Sequence, residues 1–263
     1  MLRPGRRGCG FGVGSEPLTS AFAARGAAVV ATDLSAQDPG SDHWATSNHN
    51  QYARSLEAVY RPELIAREDF DRLVTFRPVD MRRIDGLQAG SFDFLWSSCA
   101  LEHLGSLQAG FDYIDSAMTL LAPGGVAVHT TEFNVGSNDA TVETGDNVIY
   151  RRRDIEDLDR RLRRAGSALE KADFDAGSEP GDIDFDEPPY FTRGRHHIKL
   201  LLEGHIATSM LLIIRKGLLG VRAAAPADGS AATAPEKPPA APGEGAARRS
   251  RRLLGGGWFG KSR

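Results

Sequence analysis

The run Gly8-Cys9-Gly10-Phe11-Gly12-Val13-Gly14, followed by the apolar stretch Val29-Val30-Ala31-Thr32-Asp33, constrains this chain more than any other feature. Glycine turns sharply and lets a backbone approach a bound molecule closely. A glycine-rich turn that opens a helix, then a buried strand ending in an acid about 20 residues on, is the pattern of a nucleotide crevice in a parallel α/β sheet. In this reading Gly8, Gly10 and Gly12 cradle the ligand beside the start of the next helix, and Asp33 takes a ribose hydroxyl pair. The spacing argues against a dinucleotide. That fingerprint needs a third glycine at its sixth position, where this chain has Val13 (counted from Gly8) or Ser15 (counted from Gly10). A nicotinamide-dependent oxidoreductase is therefore disfavoured.

A second block supports the first. Ser91-Phe92-Asp93-Phe94-Leu95-Trp96-Ser97-Ser98 reads as a short buried strand, and Leu107 to Leu121 as a helix with Phe111, Ile114, Met118 and Leu121 on one face. Pro123-Gly124-Gly125 stops that helix, and Val126 to Thr130 forms another strand. The glycine spacing at 8, 10 and 12, with "FDFLWSS", "LEHL" and "LAPGGVAV" in this order, resembles class I S-adenosylmethionine-dependent methyltransferases over roughly residues 5 to 217. A narrower resemblance, carried by "GCGFGVGSEPL", "CALEHLGSL", "HTTEFN" and "YRRRDIEDL", is to a bacterial methyltransferase group often placed near surface-glycan genes.

The resemblance implies a Rossmann-like, doubly wound α/β sheet, mostly parallel with an antiparallel last strand, and S-adenosyl-L-methionine as cofactor. It implies adenine contacts at Asp80 and Met81 and a further cofactor contact at Ser98. It also implies an acid two residues before the first glycine, to meet the methionine moiety; this sequence has Arg6 there. A buried parallel strand should be rich in Val, Ile or Leu, whereas Met1-Leu2-Arg3-Pro4-Gly5-Arg6-Arg7 is not. The first strand is thus expected to be cut short. A catalytically idle cofactor-binding scaffold is the competing reading.

Charge and composition narrow the partners. Residues 221 to 263 hold eight basic and three acidic side chains, leaving 24 basic and 32 acidic in the preceding residues, so no nucleic-acid surface is expected. The tail is rich in Ala, Pro and Gly and reads as a disordered segment separate from a 1–220 methyltransferase domain. Its Arg248 to Arg252 cluster, with Leu253, Leu254, Trp258 and Phe259, suits contact with an anionic membrane or a partner, a solvated tail being the simpler expectation. The apolar run Met210 to Ile214 is too short to span a bilayer. Two cysteines, Cys9 and Cys99, give neither a disulfide framework nor a zinc spacing, which suggests the cytoplasm and no metal.

Transfer of a methyl group from a sulfonium mainly requires alignment; an alcohol or amine acceptor also needs its proton removed. His103, His129 and Glu132 are the candidate bases, with Glu102 and Asn134 near them at the carboxyl ends of the fourth and fifth strands. Trp44 and His49 are candidates for the substrate side, and residues 175–205, with His196 and His197, form an insertion read as a pocket wall or lid. Asp154 to Ala165 reads as an amphipathic helix with Asp154 as N-cap, and Ala168 to Phe174 and Ser209 to Ile214 as the last two strands. The expected acceptor is a small molecule or a glycan, methylated on oxygen or nitrogen.

Overall fold

The computed structural model describes residues 2–38, 52–192, 194 and 197–217. The elements run β1 (Arg7–Phe11), α1 (Leu18–Ala23), β2 (Ala28–Asp33), α2 (Arg67–Leu73), β3 (Val74–Pro78), β4 (Phe92–Ser97), α3 (Leu107–Leu120), β5 (Leu121–Asn134), α4 (Arg152–Arg164), β6 (Ser167–Leu169), β7 (Lys199–Leu202) and β8 (His205–Lys216). They form one eight-stranded sheet in the order β3-β2-β1-β4-β5-β8-β6, with β7 paired to β8. β1 to β5 pair in parallel, and β8 runs antiparallel to β5, β6 and β7.

The glycine run itself supplies the first strand. Gly8 and Gly10 lie inside β1, opposite Phe94 and Trp96 of β4. A Cβ at Gly8 would sit 2.2 Å from the Phe94 ring, and one at Gly10 2.2 Å from the Trp96 ring. The glycines therefore make room for two large rings, which Phe22 of α1 meets edge-on at 5.3 and 4.9 Å. On the other face Cys9 and Phe11 are fully buried, with Phe11 edge-on to Tyr113 of α3 at 5.4 Å. This corrects two expectations: the first strand is present as Arg7–Phe11, and Gly8 and Gly10 belong to it rather than to the turn. Asp93 fixes its start, accepting from the Arg7 amide at 2.8 Å and pairing with Arg6.

Two apolar layers flank the sheet. Ala23, Val59 and Phe70 pack with Val29, Ala31, Phe94 and Trp96 on one side. Tyr113, Ile114, Met118, Ile155, Leu158 and Leu162 pack with Cys9, Phe11, Leu95 and Leu212 on the other. That is a doubly wound sheet.

Boundaries shift where tertiary contacts override local signals. Asp154 is not the N-cap of α4 but its third residue, accepting from the Arg151 amide at 2.8 Å and the Arg151 guanidinium at 2.7 Å. β5 starts directly at Leu121, with the register shift against β4 taking up the Pro-Gly-Gly segment. The strand expected from Ala168 to Phe174 shortens to β6, while the insertion gains β7. A two-residue hairpin loop joins β7 to β8; Glu203 (φ 49°) and Gly204 (φ 80°) are both left-handed, as such tight turns require.

Candidate active site

Ligands in open α/β sheets bind beyond the carboxyl ends of the strands, where the strand order reverses. Here β1 lies between β2 and β4, so that crevice opens above Phe11, Asp33 and Ser97. The chain leaves β1 through Gly12 (φ 56°) and Gly14 (φ 50°), conformations that suit glycine. A Cβ at Gly12 would sit 3.1 Å from Ala100 Cβ and 3.6 Å from Met81 Sδ, so glycine keeps open the gap between turn, β4 loop and β3 loop.

Asp33 holds this turn together. Its carboxylate is 5% exposed and accepts from the amides of Gly14 (3.0 Å), Ala53 (3.0 Å) and Leu34 (2.9 Å). Burial raises its pKa, and the three amide bonds partly offset that rise. Asp80 accepts from the Arg82 amide at 2.8 Å and pairs with the Arg82 guanidinium at 3.0 Å. Burial pushes its carboxyl up, but the Arg82 bonds outweigh that and leave its pKa lowered. Met81 is buried against the core. Ser98 donates to the Glu16 carboxylate across the crevice. The turn, Asp33, Asp80, Met81 and Ser98 thus gather round one opening; Gly8 and Gly10 shape it from within the sheet.

The ends of β4 and β5 carry a second cluster. Donor atoms of Cys99, Glu102 and Glu132 lie within 4.8 Å of one another. Cys99 has a left-handed backbone (φ 45°), fixed by its amide donating to Thr130 Oγ1 at 2.9 Å. Glu102 is 1% exposed and accepts from Thr131 Oγ1 at 3.1 Å. Burial first, and then the neighbouring Glu132, push its carboxyl up to about 8. Glu132 is also raised by burial, partly offset by His197, and its Oε2 is buried without a partner among the described residues.

The insertion reaches this cluster. Asp186, fully buried, takes His197 Nδ1 at 2.9 Å and the Phe191 amide at 2.9 Å. The His197 ring stacks on Phe191 at 3.9 Å and meets the edge of Tyr190 at 5.4 Å. Tyr190 donates to the Leu201 carbonyl at 2.8 Å, and its pKa is raised by burial, then by the Asp186, Glu203 and Glu132 carboxylates.

The candidate bases separate. His129 is fully buried, with Nδ1 2.8 Å from Ser97 Oγ and its ring against Tyr113; desolvation lowers its pKa to about 4. A neutral core imidazole has no access to an acceptor, which corrects its place among the bases. Asn134 shapes the next loop, accepting from the amides of Gly136 at 3.0 Å and Ser137 at 2.9 Å. His103 stays part-exposed on a one-turn helix, Nδ1 2.8 Å from the Asp146 carbonyl. Trp44, His49 and His196 lie outside the described residues. Sequence reasoning missed Glu16, Asp186 and Tyr190; no spacing signal marks them. A separate cleft of about 350 Å³, lined by Arg7, Thr75, Arg77, Gln88 and Phe92, lies toward the opposite ends of the strands.

Strand order, reversed last strand and crevice are those of a Rossmann-like methyltransferase fold. A family profile described as "Methyltransferase domain" matches residues 2–172, and the chain belongs to that family. Among solved structures, the [4+2]-cyclase SpnF is 13% identical with a TM-score of 0.52, covering 82% of this chain and 77% of that one. An S-adenosylmethionine-dependent methyltransferase from Mesorhizobium loti is 15% identical with a TM-score of 0.47, covering 82% and 93%. The 1,6-didemethyltoxoflavin-N1-methyltransferase of Burkholderia thailandensis is 16% identical with a TM-score of 0.44, covering 82% and 72%. None of the curated proteins compared with the chain matches it. Among the described residues no helix is long and apolar enough to cross a membrane.

Proposed function

We propose that this chain moves the methyl group of S-adenosylmethionine to a proton-bearing oxygen or nitrogen of a small-molecule or glycan-type acceptor. When bound, the cofactor supplies an electrophilic methyl on a sulfonium. The residues present fit it: the gap that a side chain at Gly12 would narrow lies between the turn, Met81 and Ala100. Asp33 would accept the ribose hydroxyls, Asp80 and Met81 would border the adenine, and Ser98 would face the methionine end. The likeness to a [4+2]-cyclase shows that this fold hosts other chemistry, so the reading rests on the site.

The observation that carries it is the part-buried Glu132 carboxylate, whose Oε2 is buried without a partner among the described residues, where the insertion meets the ends of β4 and β5. A carboxylate with a raised pKa is a competent proton acceptor near neutral pH. His197, oriented through Nδ1 by Asp186, and His103 are further candidates. Residues 1–220 form the working domain in this reading, acting in the cytoplasm, and the tail from 221 takes no part in the chemistry.

The test uses purified chain, labelled S-adenosylmethionine, and panels of amines, alcohols and oligosaccharides. Transfer to one class is expected, with S-adenosylhomocysteine but not NAD binding in calorimetry. Glu132→Gln should lower turnover roughly 10²–10⁴-fold with cofactor affinity nearly unchanged. A chain that binds no S-adenosylhomocysteine overturns the reading. One that binds it and retains full turnover as Glu132→Gln moves the base to His197 or His103.

A further inference from the structure

The methyl donor carries an amino acid as well as a nucleoside, and its ammonium group is a full positive charge. Taken into a half-buried crevice, such a charge needs an anion close by. Three acids border the opening between β1, β2 and β4. Asp33 already accepts three amide hydrogens, and Asp80 is paired with Arg82. The third is Glu16, which follows the glycine turn. It is half-buried, accepts from the Ser98 side chain at the end of β4, and has no cationic partner among the described residues.

The Arg61 guanidinium, which reaches the loop that carries Glu16, donates to the carbonyls of Ser15, Ala58 (3.0 Å) and Tyr60 (2.8 Å) instead. Arg6, which stands where the resemblance called for an acid, is turned to Asp93 near the start of β4. It lies at the opposite, amino ends of the strands and does not reach the crevice. Burial raises the Glu16 pKa and the Ser98 bond partly offsets the rise, as for a carboxylate short of a positive neighbour.

We propose that Glu16 holds the ammonium group of the cofactor's methionine moiety, supplying from the loop after β1 the negative charge that β1 itself lacks. The inference rests on the cofactor reading above. It assigns a binding role, with Ser98 orienting the carboxylate.

Calorimetry with three probes tests it: S-adenosylhomocysteine, its analogue lacking only the amino group, and 5′-methylthioadenosine, which lacks the whole amino acid. In the unaltered chain, removing the amino group should weaken binding about 10- to 100-fold, the range for a charge-assisted bond. Glu16→Gln keeps the volume and an acceptor for Ser98, so it should bind S-adenosylhomocysteine and the deamino analogue about equally. It should also bind 5′-methylthioadenosine as tightly as the unaltered chain does. Glu16→Asp should recover part of the discrimination. Full discrimination retained in Glu16→Gln overturns the proposal, as does an equal loss for all three probes, which would mark Glu16 as a prop for the turn. If the unaltered chain binds none of the probes, the cofactor reading itself fails. Thermal melting of each variant separates these outcomes from misfolding.

Discussion

Around the ends of β1 and β2 the polar groups are mostly backbone amides gathered by one carboxylate, whereas around the end of β5 they are side chains drawn from separate parts of the chain. Asp33 collects the amides of Gly14, Leu34 and Ala53. Cys99, Glu102, Glu132, Asp186 and His197 come from the β4 loop, β5 and the insertion. The first region is built into the sheet, so in the proposed reading binding and folding there would depend on the same atoms. The second is laid over the carboxyl ends of β4 and β5, in part by segments outside the parallel strands.

The largest effect should come from Gly10→Ala. Its Cβ would overlap Trp96, and an overpacked central strand should cost about 3 kcal/mol or more, or leave no folded protein. Gly136→Ala is the control: its nearest neighbour would be Asn134 Oδ1 at 3.7 Å, and melting should barely move. Equal melting temperatures for the two would break the claim that the glycines of β1 serve packing.

Asp33→Ala should come next. It strands buried amides, so unfolding free energy should fall by about 2–3 kcal/mol while S-adenosylhomocysteine binding weakens by about 1.5–3 kcal/mol. Lost affinity at unchanged denaturation midpoint would mean that Asp33 contacts ligand without holding the turn.

A pH-dependent effect, smaller than these over any single pH unit, belongs to the β5 side. The Glu102 carboxyl is raised from 4.5 to about 8 in the fold, so between those values the folded chain keeps a proton that the unfolded chain releases. Its stabilising contribution is present below about 4.5 and declines as pH rises toward 8, with a slope approaching about 1.4 kcal/mol per pH unit. Because the neighbouring Cys99 thiol interacts directly with this carboxyl, the slope belongs to the pair. Glu102→Gln, which can still accept from Thr131, should flatten denaturant-derived stability across this window; an unchanged slope would show that Glu102 is ionised in the fold.

The smallest effect is expected from deleting residues 223–263. Cofactor affinity and melting temperature should both stay the same, since the Ala-, Pro- and Gly-rich composition of that segment cannot bury a core. A clear drop in melting temperature would show that the tail packs on the sheet domain.

Much of the fold was legible because its signals are local. An acid closing an apolar run marked β2, a short apolar run marked β4, and helical spacing marked α3 and α4. The residues that decide the site were less so. The glycine run could be read as a turn because nothing within seven residues shows that Phe94 and Trp96, more than 80 residues away, fill the space above Gly8 and Gly10. His129 and Glu132 sit three positions apart on one strand, yet one is a core residue and the other faces the insertion. A strand's two faces look alike in sequence until their neighbours are known.

By itself, then, the sequence determined the order of the elements, the acid at the end of β2 and the family, all of which rest on contacts a few residues apart. Only the tertiary structure decided that glycines form the central strand, that His129 is out of reach, and that Glu16, Asp186 and His197 border the two sides of the site. Those outcomes depend on packing and desolvation between segments far apart in the chain, which spacing does not encode.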